Sequence, residues 1–363
     1  MKIAIIGAGP AGVYAAITAA THGAEVTVFE KRCVGEGIVC GECIFDFFGT
    51  LQQPRYGYRY TVENIIVHAH NTYTKAVAKY NRLWMMDRSA WQRGLAAEAV
   101  GLGVKIHENK EILPAQLRQL SQEFDFIIDC SGAPSVTGQA YGFHSEYLNK
   151  FNVACQYELR GDFSKFKKSI LIGFLPDIPA ENMPGYYWIF PKDDQSANVG
   201  IGYRTDTKGK TVNLWQKLDE VIRLENLQTM TITGRGGGFL PISRPNKLVH
   251  DNILLVGDAA GITSEFSGEG IDLACISGTL AARAILDGDV SGYQNRLNLL
   301  LKEKFALDKT ITKYMQNSNL VEIDGLVDAV FNKKIILNPR TMTIAYKLLK
   351  MIVLWKIRKR IIA

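Results

Sequence analysis

The sequence has few cysteines and no long apolar run. Six cysteines in 363 residues are far below the density of a disulfide scaffold, which favours a reducing, cytoplasmic location. Cys40 and Cys43 form a CxxC pair, but no second Cys or His pair follows at zinc spacing, so we expect no metal site. No uninterrupted apolar run reaches the roughly 18 residues that span a bilayer. We therefore expect neither a disulfide scaffold nor a transmembrane protein.

Acidic residues are absent after Asp328. The chain has 42 Lys and Arg against 36 Asp and Glu, a formal net charge of +6. Nine of the cations follow Asp328, so the first 328 residues hold 33 cations against 36 acidic residues. A nucleic-acid-binding protein would need a basic face on this part of the chain. We expect no nucleic-acid partner.

The N-terminal residues have the pattern of a strand, a helix and a second strand, at 2–6, 10–22 and 25–29. The first turn, Gly7-Ala-Gly-Pro-Ala-Gly12, allows close approach of a pyrophosphate to a helix N-terminus, and Glu30 can accept from a ribose hydroxyl. The pattern predicts a dinucleotide site. Its predicted contacts are Gly7, Gly9, Ala11, Gly12, Glu30 and Lys31.

A second strand-to-turn motif, Leu254-Leu-Val-Gly-Asp258, lies about 250 residues further on and precedes Gly268-Glu-Gly-Ile271. Taken alone, Asp258 could also serve only as the N-cap of a turn. Paired with the first motif, it predicts a carboxylate for a ribityl hydroxyl and a helix start aimed at a pyrophosphate or flavin carbonyl. Two such motifs favour FAD over NAD as the tightly held nucleotide. The predicted contacts here are Gly257, Asp258, Gly268, Gly270 and Ile271.

Arg88 opens a predicted helix at 88–101, with Asp87 as its N-cap. A cation in the first turn opposes the helix dipole. Contact with an anionic or carbonyl ligand explains this arginine better than a surface salt bridge does, so Arg88 is a further predicted cofactor contact.

In the middle of the chain, the continuous apolar runs typical of parallel strands give way to the alternating apolar and polar residues typical of antiparallel strands. Extended segments are predicted at 60–68, 74–80, 104–107 and 124–129, then at 153–159, 169–175, 185–191, 197–203 and 228–234, with one helix near 212–224. A strand at 252–256 and a helix at 268–286 follow, and helices continue to the end. The predicted class is α/β with an inserted α+β unit. It comprises a Rossmann-like FAD-binding domain (1–50, 80–135 and 245–290), an antiparallel-sheet substrate domain (51–79 and 136–244) and a C-terminal helical segment (291–363).

The segment Pro184-Gly-Tyr-Tyr-Trp-Ile-Phe-Pro191 places Tyr186, Trp188 and Phe190 on one face of a strand, because side chains alternate with a period of two. Three large rings on one face form either a layer of the sheet core or the wall of an apolar ligand channel. The residues alone favour the core.

Together these motifs resemble the geranylgeranyl reductase family, within the flavoproteins that share the p-hydroxybenzoate-hydroxylase-like FAD fold. The more specific features are Cys40-Gly-Glu42, the aromatic motif at 184–191, and Gly257-Asp-Ala-Ala-Gly261 followed by Gly268–Ile271. The resemblance implies that Tyr186, Trp188 and Phe190 line an isoprenoid pocket. It also implies that Cys40 and Glu42 lie near the flavin as catalytic candidates. Where the family often has Asn-Pro, this chain has Ile-Thr-Ser-Glu-Phe-Ser before Gly268.

The implied activity is saturation of prenyl double bonds by hydride from reduced flavin, with a proton reaching the other carbon. The sequence holds no second complete dinucleotide fingerprint, so electrons are expected from transient NAD(P)H or a ferredoxin-like donor protein. A flavin monooxygenase of an apolar or aromatic substrate stays open, although a halogenase-like motif would read Trp-x-Trp-x-Ile-Pro. A membrane-associated flavin electron-transfer protein is the third reading.

The C-terminal segment has a helical apolar spacing, at Ile344, Leu348, Ile352 and Trp355, after a helix start at Pro339. The nine cations lie in the same region. Such a helix either packs on the body with a solvated end or lies in the interface of an anionic membrane. A lipid substrate favours peripheral membrane contact.

Overall fold

The computed structural model describes residues 1–80, 82–148, 150–176, 184–204, 212–332, 344–345 and 347–348. Most of the basic C-terminal segment lies outside these residues. Within them, no helix is both long enough and apolar enough to cross a bilayer.

The described chain forms sixteen strands and eight α-helices. The strands are β1 (Lys2–Ile6), β2 (Glu25–Phe29), β3 (Cys43–Phe45), β4 (Tyr58–Thr61), β5 (Asn64–His68), β6 (Thr72–Ala76), β7 (Leu83–Met86), β8 (Lys105–His107), β9 (Phe126–Asp129), β10 (Phe151–Arg160), β11 (Ser169–Gly173), β12 (Gly185–Asp193), β13 (Ser196–Arg204), β14 (Thr231–Pro241), β15 (Val249–His250) and β16 (Ile253–Leu255). The helices are α1 (Pro10–Thr21), α2 (Arg88–Gly101), α3 (Leu117–Glu123), α4 (Val136–Ala140), α5 (Leu214–Leu224), α6 (Ile271–Leu286), α7 (Tyr293–Gln316) and α8 (Leu320–Asn332).

A six-stranded sheet has the order β15-β16-β9-β1-β2-β8 and is parallel except for the short β15–β16 pair. Its central strands are buried on both faces, so they have continuous apolar runs rather than alternation. The turns after β1 and β16 both lead toward helices that pack side by side. A Cβ on Gly278 of α6 would lie 2.2 Å from the Ala11 carbonyl oxygen of α1, so this glycine permits the close helix contact.

A seven-stranded sheet has the order β14-β10-β13-β12-β11-β5-β6. It is antiparallel among β10 to β14, as the sequence predicts, and also between β5 and β6, whereas β11 and β5 are parallel. Helix α5 covers one face, where Tyr187 and Ile189 pack with Leu218 and Val221. The opposite face is left for Tyr186, Trp188 and Phe190.

Several predicted segments are subdivided. The segment 60–68 breaks between β4 and β5, and the 74–80 segment ends as a strand at Ala76. β3 lies outside every predicted strand, and it pairs with β7 in a small third sheet that also contains β4. β7 is buried throughout, so its sequence carries no period of two.

Candidate functional site

One cavity of about 820 Å³ lies between the parallel sheet, the seven-stranded sheet and the start of α6. Fourteen of the seventeen predicted site residues line it. These are Gly7, Gly9, Ala11, Glu30, Lys31, Cys40, Arg88, Tyr186, Trp188, Phe190, Asp258, Gly268, Gly270 and Ile271. Gly12, Glu42 and Gly257 do not line it. The fold thus brings together residues from both ends of the chain and from the middle.

The turn after β1 is compact because two glycines permit it. Gly7 has φ +99°, and a Cβ there would lie 2.6 Å from the Cys130 carbonyl oxygen at the end of β9. A Cβ on Gly12 would lie 1.9 Å from the Gly7 carbonyl oxygen. At Gly9, the N-cap of α1, a Cβ would meet no atom within 4 Å. The N-terminus of α1 is therefore open to a ligand in the cavity.

Glu30 lies directly after β2 and holds the turn in place. Its Oε2 accepts from the Ala8 amide at 2.7 Å and its Oε1 from the Arg32 amide at 3.1 Å. Lys31, next to it, is exposed and also lines the cavity. A carboxylate fixed by two backbone amides retains lone pairs for further hydroxyl donors.

Asp258 lies in a 3₁₀ turn after β16, next to Gly257, which has φ +56°. Thr263 Oγ1 donates to Asp258 Oδ1 at 3.1 Å. Asp258 is exposed to the cavity, and desolvation by the surrounding protein raises the pKa of its carboxyl although Thr263 and Arg88 favour the charged form. Gly257 contributes through its backbone conformation and its packing against Ala11 and Ala274.

Arg88 connects α2 with the glycine turn. Asp87 caps α2 by accepting from the Ala90 amide at 2.8 Å, as the sequence predicts. The Arg88 guanidinium donates to Gln92 Oε1 at 2.6 Å, and Gln92 Nε2 donates to the Ala8 carbonyl at 3.2 Å. Arg88 lines the cavity, so its remaining donors are available there.

The segment Cys40–Glu42 passes between the aromatic strand and α2. Cys40 lines the cavity and is a free, half-buried thiol. A Cβ on Gly41 would lie 2.9 Å from Phe190 Cδ2, so a glycine is required for this close approach. Glu42 has φ +62° and its side chain accepts from the Arg88 amide at 3.1 Å.

Glu42 belongs to an ion-pair network that the sequence did not reveal. Lys192 Nζ lies 2.6 Å from Glu42 Oε2 and 2.9 Å from Glu158 Oε2. Burial lowers the Lys192 pKa, but the two carboxylates outweigh it and raise the pKa overall. Glu158 also accepts from Asn198 Nδ2 at 2.7 Å, and Asn198 Oδ1 accepts from Trp188 Nε1 at 2.7 Å. Glu42 is thus engaged in fixing the aromatic strand to α2, which differs from the predicted position at the reacting centre.

The three rings form one wall of the cavity. Ring centroids of Tyr186 and Trp188 are 6.0 Å apart, as are those of Trp188 and Phe190. The Tyr186 hydroxyl donates to the Ser267 carbonyl, which joins this wall to the loop before α6. The predicted one-face arrangement is confirmed, and the face is turned to the cavity.

Four carboxyl residues outside the predicted site also line the cavity, at Glu111, Glu265, Glu269 and Asp272. Glu269 lies between the two predicted glycines, and Asp272 follows in the first turn of α6. Their position inside a Gly-Glu-Gly helix start was the available signal.

The residues present fit FAD. The open N-terminus of α1, the glycines that Cβ atoms would obstruct, and Glu30 suit the adenosine and pyrophosphate end. Asp258 and the N-terminus of α6, which line the same cavity beside α1, suit the flavin end.

Two family models match the sequence. Residues 1–83 match the pyridine nucleotide-disulphide oxidoreductase model, and residues 178–238 match the geranylgeranyl reductase catalytic domain.

Curated relatives match along most of the chain. The digeranylgeranylglycerophospholipid reductase 2 of Methanosphaera stadtmanae is 30% identical over 356 residues, covering 87% of this chain and 85% of that protein. The digeranylgeranylglycerophospholipid reductase of Methanococcus aeolicus is 27% identical and covers 90% of each chain.

Solved structures share the fold. A geranylgeranyl bacteriochlorophyll reductase-like protein from Thermoplasma acidophilum has a TM-score of 0.77 at 20% identity, covering 98% of each chain. The flavin-dependent halogenase CmlS has a TM-score of 0.64 at 16% identity, covering 99% of this chain and 71% of the halogenase.

Proposed function

Because this chain belongs to the geranylgeranyl reductase family, we propose that it is an FAD-dependent reductase that saturates the carbon–carbon double bonds of prenyl chains carried by a lipid. One observation carries the proposal. The lining of one cavity includes both a dinucleotide cradle and a wall of three aromatic rings. Relatives named for digeranylgeranylglycerophospholipids support geranylgeranyl chains on a glycerophospholipid as the substrate class.

Bound FAD, once reduced, supplies a hydride to one carbon of the double bond. We assign Gly7, Gly9, Ala11, Glu30 and Lys31 to its adenosine and pyrophosphate end. Gly12 and Gly257 act through packing and backbone shape. Arg88, Asp258, Gly268, Gly270 and Ile271 are assigned to the flavin end.

The protein's own contribution is positioning in an apolar, water-poor space. Tyr186, Trp188 and Phe190 offer a flat apolar wall along which an isoprenoid chain can lie. Cys40 lies at the end of that wall, next to Gly41, and remains a candidate for contact with the reacting carbons. Glu42 supports the wall through Lys192 instead of reacting.

The electron donor in this proposal is NAD(P)H or a ferredoxin-like protein that binds transiently. We assign the N-terminal fingerprint to FAD, and the sequence has no second complete fingerprint for a nicotinamide nucleotide.

We propose in addition that the basic C-terminal segment holds the enzyme at an anionic membrane surface, where its substrate resides. Only four residues of 333–363 are described. Ile344 packs with Leu307 and Tyr314 of α7, and Lys347 Nζ donates to the Thr310 hydroxyl. Ile344 and Lys347 therefore lie against α7, and the cations beyond Lys347 would each contribute about 1 kcal/mol near anionic lipid.

The test is anaerobic. The purified flavoprotein is photoreduced and mixed with a prenylated glycerophospholipid, and the flavin absorption is followed. Return of the oxidised spectrum with the prenyl lipid, and not with its saturated analogue, is the expected result. A reaction that needs oxygen would favour a monooxygenase, and no reoxidation with any prenyl lipid would favour an electron-transfer protein.

A further inference from the structure

Four charged side chains meet at the start of α6, where it faces the middle of α7. Glu269 lies just before α6 and Asp272 in its first turn, and Lys304 and Asp308 lie on α7. The side chains of Lys304 and Asp308 are 4% and 3% exposed, that of Glu269 is 10% exposed, and Asp272 is fully buried. This cluster lies outside the ion-pair network of Lys192.

The cluster has one cation for three carboxyls. Lys304 Nζ is 2.8 Å from both oxygens of Asp308 but 3.6 Å from Glu269 Oε2. Asp308 therefore takes most of the lysine's charge. Two ionised carboxylates beside this pair would leave uncompensated negative charge in a buried site, which is strongly unfavourable.

Glu269 and Asp272 lie three residues apart at the start of α6, and the charge of Glu269 raises the pKa of Asp272, which favours a proton on the pair. Glu269 Oε1 and Asp272 Oδ2 are buried, and neither has a hydrogen-bond donor among the described residues. Both residues line the cavity, Glu269 close to the aromatic wall through the Ser267–Tyr186 contact. An unpartnered buried carboxyl that faces a substrate cavity is placed to exchange a proton with what enters there.

We propose that the Glu269–Asp272 pair is the proton donor of prenyl reduction. The inference rests on the proposed function. Saturating one double bond takes one hydride and one proton. The hydride comes from the reduced flavin and forms one C–H bond as the π bond breaks. Glu269 gives the shared proton to the other carbon, the pair gains one negative charge, and it takes a proton back from water before the next turnover.

The pKa directions agree with this geometry. Burial raises the pKa of Glu269, opposed by Lys304, and burial together with Glu269 raises the pKa of Asp272. Lys304 and Asp308 from α7, Cys275 from α6 and Tyr186 from β12 face the pair. The pair should therefore deliver its proton at pH values below its raised pKa, and delivery should be lost as the pH rises through that pKa.

Hydrogen bonds connect the pair to α7. Asp308 accepts from Ser264 Oγ at 2.8 Å, Ser264 and Ser267 hydroxyls are 2.8 Å apart, and Ser267 Oγ lies 3.3 Å from Glu269 Oε2. This chain holds Glu269 in place while Lys304 limits the charge that builds up after the proton leaves.

The test compares the wild type with Glu269→Gln, Asp272→Asn and a matched control, Glu265→Gln. Glu265 is on the same loop and lines the cavity, but it is paired with Arg204. FAD content, thermal midpoint and flavin reduction potential establish that each variant is intact. Flavin reoxidation by the prenyl lipid is then measured anaerobically against pH, and infrared spectra of the oxidised enzyme report protonated carboxyls.

We expect the rate of flavin reoxidation to fall about 10²–10⁴-fold in Glu269→Gln. The decline of this rate at high pH, which we expect of the wild type, should be absent in the variant. The infrared carboxylic-acid band present at neutral pH should disappear in Glu269→Gln and Asp272→Asn but persist in Glu265→Gln. Normal reoxidation by Glu269→Gln with an unchanged pH profile would overturn the proton assignment alone, as would a wild type without that band. A wild type that no prenyl lipid reoxidises would overturn the proposed function too.

Discussion

At the residue scale, the tight turn after β1 is possible because Gly7 and Gly12 have no Cβ atom. Replacing Gly12 with Ala puts a Cβ 1.9 Å from the Gly7 carbonyl oxygen. That oxygen belongs to the backbone of the turn and the Cβ is fixed to the backbone of α1, so neither atom can move away without shifting the main chain. We expect Gly12→Ala to lose FAD on purification and to lower the free energy of unfolding by about 1–3 kcal/mol. Flavin content and denaturant titration check this.

Gly101→Ala at the end of α2 is the control for that variant, since a Cβ there meets no atom within 4 Å. It should keep its flavin and its stability. A flavin-replete Gly12→Ala of normal stability would contradict the role given to the turn.

Neighbouring tyrosines on β12 separate the cavity wall from the sheet core. Tyr186 faces the cavity, whereas Tyr187 is buried under α5 and donates to Glu225 Oε1 at 2.6 Å. Tyr186→Leu should raise KM for a prenyl lipid about tenfold at little cost in stability. Tyr187→Leu should lower the free energy of unfolding by about 2–4 kcal/mol and leave KM unchanged. If the two variants behaved alike in both assays, the assignment of faces would be wrong.

Some of these residue-scale features can be predicted from the sequence, and others cannot. The glycine turns and the ring face follow from local geometry, so spacing alone predicts them. The position of Glu42 depends on Lys192, 150 residues away, and no local pattern encodes that contact.

At the scale of elements, Lys192 joins the loop before β3 to the aromatic strand. Its side chain is 17% exposed and lies between the carboxylates of Glu42 and Glu158. Lys192→Met leaves both carboxylates without their cation, so we expect the free energy of unfolding at neutral pH to fall by about 3–5 kcal/mol.

A double variant, Lys192→Met with Glu42→Gln, tests that explanation by removing the charge left uncompensated. It should recover part of the lost stability, because neutral Gln costs less to bury. Additive losses in the double-mutant cycle would show that the lysine acts through packing alone.

The elements that were predicted well have strong local signals. The βαβ opening, α2 with its Asp cap, and the alternating strands β10 to β13 have such patterns, and each appears within a few residues of its predicted bounds. β7 was missed because it is buried on both faces and so has no alternating pattern. The parallel pairing of β5 with β11 was missed because strand order depends on residues that are distant in sequence. Lys304 and Asp308, spaced four apart, have the pattern of a surface helix pair but are buried against α6.

At the scale of the whole molecule, the charge of the chain divides between a slightly acidic body and a basic C-terminal segment. We expect removal of residues 349–363 to abolish binding to anionic liposomes while FAD stays bound. Ile344 and Lys347, which contact α7, are retained in this variant. Co-sedimentation at low and high salt is the measurement, with the full chain losing affinity as salt rises. Unchanged binding after truncation would assign membrane contact to another surface.

In the proposed reaction, one cavity brings reduced flavin and a prenyl chain together. Mass spectrometry of the lipid after an anaerobic single turnover tests it most directly. We predict a gain of two hydrogens for each double bond lost, with one reduced flavin consumed per bond and no oxygen incorporated. A lipid of unchanged mass, or one that gains oxygen only when air is admitted, would contradict the account.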